Sequence, residues 1–166
     1  MSNPKPPLKS KIRQYVYDIG GKIKKEPKDP KIEFIFVFEF GGRTYTLNKP
    51  KKTNFIVLAH GFRLGNEHKM KFDSLNPKNH KKFIIGFNNI LHGYHLEYNY
   101  NLGLNQIGLH TKVFVENNDC TLQVFYDKFM MLFSCSKIIL NYINDFLVDQ
   151  APQDTSSTGT QTNLYS

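Results

Sequence analysis

Apolar and polar positions alternate through Ile32 to Phe40, IEFIFVFEF. Ile32, Phe34, Phe36, Phe38 and Phe40 fall on one side, and Glu33, Ile35, Val37 and Glu39 on the other. A period of two is that of a β-strand. Gly41 and Gly42 follow, then RTYTL. Two glycines between alternating segments predict a two-residue hairpin, because both central residues can take positive φ. That turn sets a register of Phe38 opposite Tyr45, Phe36 opposite Leu47, Val37 opposite Thr46 and Ile35 opposite Asn48. The phenylalanine side is then the core, and Ile35 and Val37, on the other side, are the candidate partner or dimer surface. A third strand, Asn54 to about Arg63, is apolar almost throughout, as expected of a strand covered on both faces.

Helical spacing frames these strands. Ile12, Tyr15, Val16 and Ile19 recur at that spacing before Gly20 and Gly21, which supply a left-handed stop. The run GKIKKEPKDPK, with its two prolines, predicts irregular chain up to Ile32. Asn76 as N-cap and Pro77 at the first helical position open a helix carrying Phe83, Ile84, Phe87, Ile90 and Leu91, closed by Gly93. HLEYNYNL and QIGLHTKVFVE predict a second hairpin. Beyond Leu122, apolar residues from Phe125 to Phe146 predict one long helix, or two broken near Ser134 and Ser136.

The expected fold is α+β in the order α-β-β-β-α-β-β-α, a twisted antiparallel sheet with helices packed mainly on one face. A single domain is expected over residues 8–149. A basic arm over 1–7 and a polar tail over 150–166 lack apolar periodicity and are expected to be disordered.

The opening helix KIRQYVYDIGG, the strand IEFIFVFEF, the following KPKKTNFIVL and the segment TKVFVENND resemble an uncharacterised, mainly archaeal family. The order of elements resembles the fold of type III secretion chaperones. That resemblance implies a homodimer with helices on one face of its sheet, binding extended segments of partner proteins on apolar grooves.

Composition adds a charge asymmetry. The net charge is +8, but residues 1–82 hold 19 Lys and Arg against 7 Asp and Glu, while residues 83–166 hold 3 against 7. Attraction to acidic partners, nucleic acid included, follows for the first half. Cys120 and Cys135 have neither metal-ligand nor redox spacing and are expected to be free thiols. With no bilayer-length apolar run and no apolar leader segment, the chain is expected to be cytoplasmic and away from membranes.

The basic segment RLGNEHKMKFDSLNPKNHKK is the candidate anion or nucleic-acid patch, through Arg63, Lys69, Lys71, Lys78, His80, Lys81 and Lys82. Lysines at a helix start oppose the helix dipole, and a helix N-terminus can cradle phosphate. His92, His95 and Glu97 have a spacing that a helix would turn into a metal site, but strand alternation begins at His95. GxSxG, GxxxxGK[ST] and GxGxxG are absent. No catalytic, cofactor or metal residue is therefore assigned. The expectation is a non-enzymatic dimerising module binding a protein or peptide. A nucleic-acid binder is the alternative, and an enzyme with an unrecognised site a distant third.

Overall fold

The computed structural model describes residues 6–101, 105–117 and 119–149. Most of the arm and all of the tail expected to be disordered lie outside these residues. The described chain is α+β, with six strands in one antiparallel sheet and four helices. The sheet has the order β1-β2-β3-β4-β6-β5.

The glycine hairpin forms as expected. β2 (Ile32–Phe40) and β3 (Arg43–Pro50) are joined by Gly41 at φ 56° and Gly42 at φ 73°. Two consecutive positive φ values match the right-handed twist of the flanking strands. All four predicted cross-strand pairs are present. β4 (Phe55–Arg63) pairs with β3 on one side and β6 (Gln106–Phe114) on the other, and β5 (Glu97–Asn101) forms the far edge.

Two elements were not anticipated. β1 (Lys22–Lys25) pairs Ile23 with Phe38 inside the stretch expected to be irregular. Only Ile23 packs against the core, so this lysine-rich edge strand shows no apolar alternation. α2 (Asn66–Asp73) likewise buries no residue and carries no apolar stripe. Lys71 pairs with Glu67 at 2.9 Å and Lys69 with Asp73 at 3.7 Å, each one helical turn apart.

The helix ends follow from backbone chemistry. α1 (Leu8–Asp18) closes on Gly20 at φ 87°, with Gly21 N–H donating to Val16 O and Gly20 N–H to Tyr17 O, both 2.8 Å. α3 (Pro77–Gly93) opens at Asn76, whose side chain accepts from Asn79 N–H. It ends at Gly93, as expected, with Gly93 as its last helical residue. The left-handed residue is His95, at φ 51°, and Leu96 N–H returns to Leu91 O at 3.1 Å. α4 (Leu122–Asp149) is one unbroken helix. Ser136 does not interrupt it because its hydroxyl donates to Leu132 O at 2.7 Å within the same helix.

Buried side chains lie on the helix side of the sheet. Phe34, Phe36 and Phe38 meet Tyr45 and Leu47, Ile56 and Leu58, and Leu109 and Val113 beneath the helices. Phe129 of α4 sits centrally, its ring 5.0 Å from Phe40, 5.1 Å from Tyr45 and 5.7 Å from Phe38. Lys49 is buried at the end of β3, where its ammonium donates to Thr53 O at 2.7 Å and lies 3.4 Å from Glu33. β4 corrects the expectation of cover on both faces: Ile56, Leu58 and His60 are buried, but Phe55, Val57 and Ala59 on the other side are only half-buried.

Candidate functional site

The sheet face opposite the helices carries the side chains that the core leaves out. Antiparallel pairing lines them up in rows across the strands. One row runs Val37, Thr46, Ala59, His110, Glu97, and the next Ile35, Asn48, Val57, Lys112. Beyond it Phe55 lies opposite Phe114, their rings 6.2 Å apart. Ile35 and Val37 therefore join Val57, Ala59, Phe55 and Phe114 in one patch around Thr46 and Asn48. Phe114 is 61% exposed.

Two ion pairs flank the patch on this face. Glu97 accepts from Lys112 Nζ at 3.2 Å and meets His110 Nε2 at 3.1 Å. Lys112, and after it His110, hold the Glu97 carboxyl below its usual range. Near the other edge Lys24 meets Glu39 at 2.8 Å. Between them, a concavity of ≈560 Å³ lies over Ala59, Gly61 and Gly108. A Cβ on Gly108 would overlap the Asn99 amide, and one on Gly61 would come within 3.0 Å of Gln106 Nε2. The two glycines thus let both amides lie flat on the sheet.

The basic segment divides. Lys69 and Lys71 are engaged by acids of their own helix. The His80 ring packs 4.6 Å from Phe72. Arg63, Lys78, Lys81 and Lys82 are exposed, the three lysines on the first two turns of α3. The histidines considered for a metal separate: His92 is exposed on α3, His95 occupies the left-handed stop, and Glu97 turns to His110 and Lys112. Among the described residues no group of three metal-ligating side chains converges.

Sequence reasoning missed an apolar slot between α2, α3 and the β5-β6 hairpin. Phe83, Phe87 and Ile107 are its buried lining, and Leu64, Phe72, Ile84, Tyr98 and Tyr100 reach it from less buried positions. Its volume is ≈100 Å³. The signal that could have found it is the apolar side of HLEYNYNL, which carries Tyr98 and Tyr100. Both cysteines are buried; burial pushes the Cys135 thiol up to about 11 and raises Cys120 as well.

Fold and face together define an α+β protein built on a one-sided antiparallel sheet. The chain belongs to the family described as "Uncharacterized conserved protein (DUF2299)", whose model matches residues 8–143. Its fold is similar to that in the crystal structure of an uncharacterized protein from Methanothermobacter thermautotrophicus. The two share 14% identity, with a TM-score of 0.72 over 83% of this chain and 97% of that one. No curated protein matches the sequence. Among the described residues no helix is long and apolar enough to cross a membrane.

Proposed function

We propose that this protein is a non-enzymatic module that dimerises through its open sheet face and binds a protein or peptide partner, in the manner of the type III secretion chaperones. The apolar patch of Ile35, Val37, Phe55, Val57, Ala59 and Phe114 carries the reading. Charge favours a second copy as the cover. Two chains at +8 repel, yet on this face Glu39 and Glu97 offset Lys24 and Lys112, leaving Lys22, Lys25 and Arg63 at the margin. Six strands at ~4.8 Å spacing and ~20 Å of strand length give roughly 1,200 Å² over both copies, at the lower end of stable interfaces. With Phe114 61% exposed, about 120 Å² of its ring remains to be covered, worth about 3 kcal/mol per copy.

Light scattering coupled to size exclusion over a dilution series tests this. Twice 19.3 kDa is expected at high concentration. Phe114→Glu, an exposed substitution, shifts the midpoint to higher concentration by a hundredfold or more. A wild-type chain that stays monomeric at every concentration refutes the dimer. The exposed lysines of α3 support a second reading, nucleic-acid binding. It requires an affinity that falls steeply with salt, whereas dimerisation of like-charged copies strengthens as salt screens their repulsion.

A further inference from the structure

The slot between α2, α3 and the β5-β6 hairpin has properties that select a ligand. Its lining is almost entirely side-chain hydrocarbon, with Phe72 and Phe83 rings 5.1 Å apart at one end and Phe87 and Tyr98 5.1 Å apart at the other. A polar group placed there would find little to satisfy it. A dry apolar cavity of about 150 Å³ holds a benzene ring. An open slot of ≈100 Å³ therefore takes one group of leucine size whole, or a phenyl ring left partly outside its mouth, and is too short for a long acyl chain. One such group alone binds no better than millimolar, so an effective ligand must gain from the surroundings.

Those surroundings are cationic. Residues 63–82 hold Arg63, Lys69, Lys71, Lys78, Lys81 and Lys82 against Glu67 and Asp73. The two acids are taken up by Lys71 and Lys69, although Asp73 also faces Tyr100. Lys81 stands one turn before Ile84, which lines the slot, and His80 covers Phe72. Among the described residues Lys78, Lys81 and Lys82 have no acidic partner, and all three fall within two turns of the slot lining on one helix. Bases are less well served by the same geometry, because His80 and Phe83 already pack against Phe72.

We propose that this slot receives a single aliphatic or aromatic side chain of an acidic peptide segment, with the α3 lysines attracting its carboxylates. The inference rests on the partner-binding half of the proposed function and is independent of the dimer. The probe is a fluorescein-labelled twelve-residue peptide of Glu and Ser with one central Phe, titrated by anisotropy against the full chain. Saturable binding is expected. It should weaken at least tenfold when the peptide Phe becomes Ser, and at least fivefold for Lys81→Glu/Lys82→Glu, an exposed pair that leaves the fold intact by circular dichroism. Ile84→Glu, at the slot itself, should abolish it.

Equal binding of the Phe and Ser peptides overturns the proposal, as does equal binding of a Lys-and-Ser peptide with the same Phe. Displacement of the acidic peptide by a single-stranded oligonucleotide at lower concentration than by unlabelled peptide also overturns it, in favour of nucleic acid. Light scattering on the same samples separates the two claims. A monomer that binds the peptide refutes only the dimer, and a dimer that ignores it refutes only the slot.

Discussion

Replacing Gly86 with alanine should destabilise this protein, although the same change in an isolated helix would stabilise it. Gly86 lies in the middle of α3, where alanine is better than glycine by about 1 kcal/mol. Here α4 comes too close. A Cβ on Gly86 would stand 2.8 Å from Cζ and 3.1 Å from Cε2 of Tyr142, and would overlap its hydroxyl. That hydroxyl donates to Phe83 O at 3.0 Å, and its ring lies 5.5 Å from Phe83 and 5.7 Å from Phe146.

Displacing Tyr142 forfeits about 1 kcal/mol of hydrogen bond and about 0.5–1.5 kcal/mol for each ring contact. Net of the helix gain, Gly86→Ala should cost about 1–3 kcal/mol. In a Tyr142→Ala background the obstruction is gone, and the same substitution should then stabilise by about 1 kcal/mol. Urea unfolding of the four proteins of this double-mutant cycle, followed by far-ultraviolet circular dichroism, measures a coupling of about 2–4 kcal/mol. Effects of Gly86→Ala that agree within about 0.5 kcal/mol in the two backgrounds would refute the reasoning.

Two pH dependences follow from buried groups. His60 donates from Nδ1 to Thr44 O at 2.8 Å, and burial lowers its pKa below the usual 6.5. The unfolded chain therefore takes up the proton first. Stability should fall as pH drops from 6.5 toward the folded pKa, and His60→Phe should flatten that slope in urea midpoints. The Cys135 thiol moves the other way, from 9.0 up to about 11. Above pH 9 the unfolded chain loses this proton first, so stability falls toward pH 11. Cys135→Ala should reduce that fall by up to about 1.4 kcal/mol per pH unit. Burial raises Tyr45, Tyr142 and Cys120 in the same direction, so part of the alkaline loss should remain.

The hairpin of β2 and β3 was legible because its information is local: a two-residue period fixes faces, and two glycines fix the turn. The start of α3 was legible for the same reason, in Asn76 and Pro77. β1 and α2 were not. One touches the core through Ile23 alone and the other through a half-buried Phe72 alone, so neither prints an apolar period on the chain. The end of α3 was legible in Gly93, its last residue, but the left-handed position two residues on was not, because a histidine occupies it where glycine is the usual signal.

For the candidate surfaces, the sequence determined that Ile35 and Val37 face away from the phenylalanines and that the cations crowd into residues 1–82. It could not show that Phe55, Val57, Ala59 and Phe114 lie beside Ile35 and Val37. Strand order decides that, and order depends on which long-range pairings bury most, which no local period encodes. Pairing between β4 and β6, separated by α2, α3 and β5, brings Phe55 opposite Phe114. The close approach of α4 to Gly86 and the slot beneath Phe72 arise likewise from helices meeting far along the chain. Alternation assigns each residue to a face, but only the packed sheet decides which residues share it and which face the helices leave open.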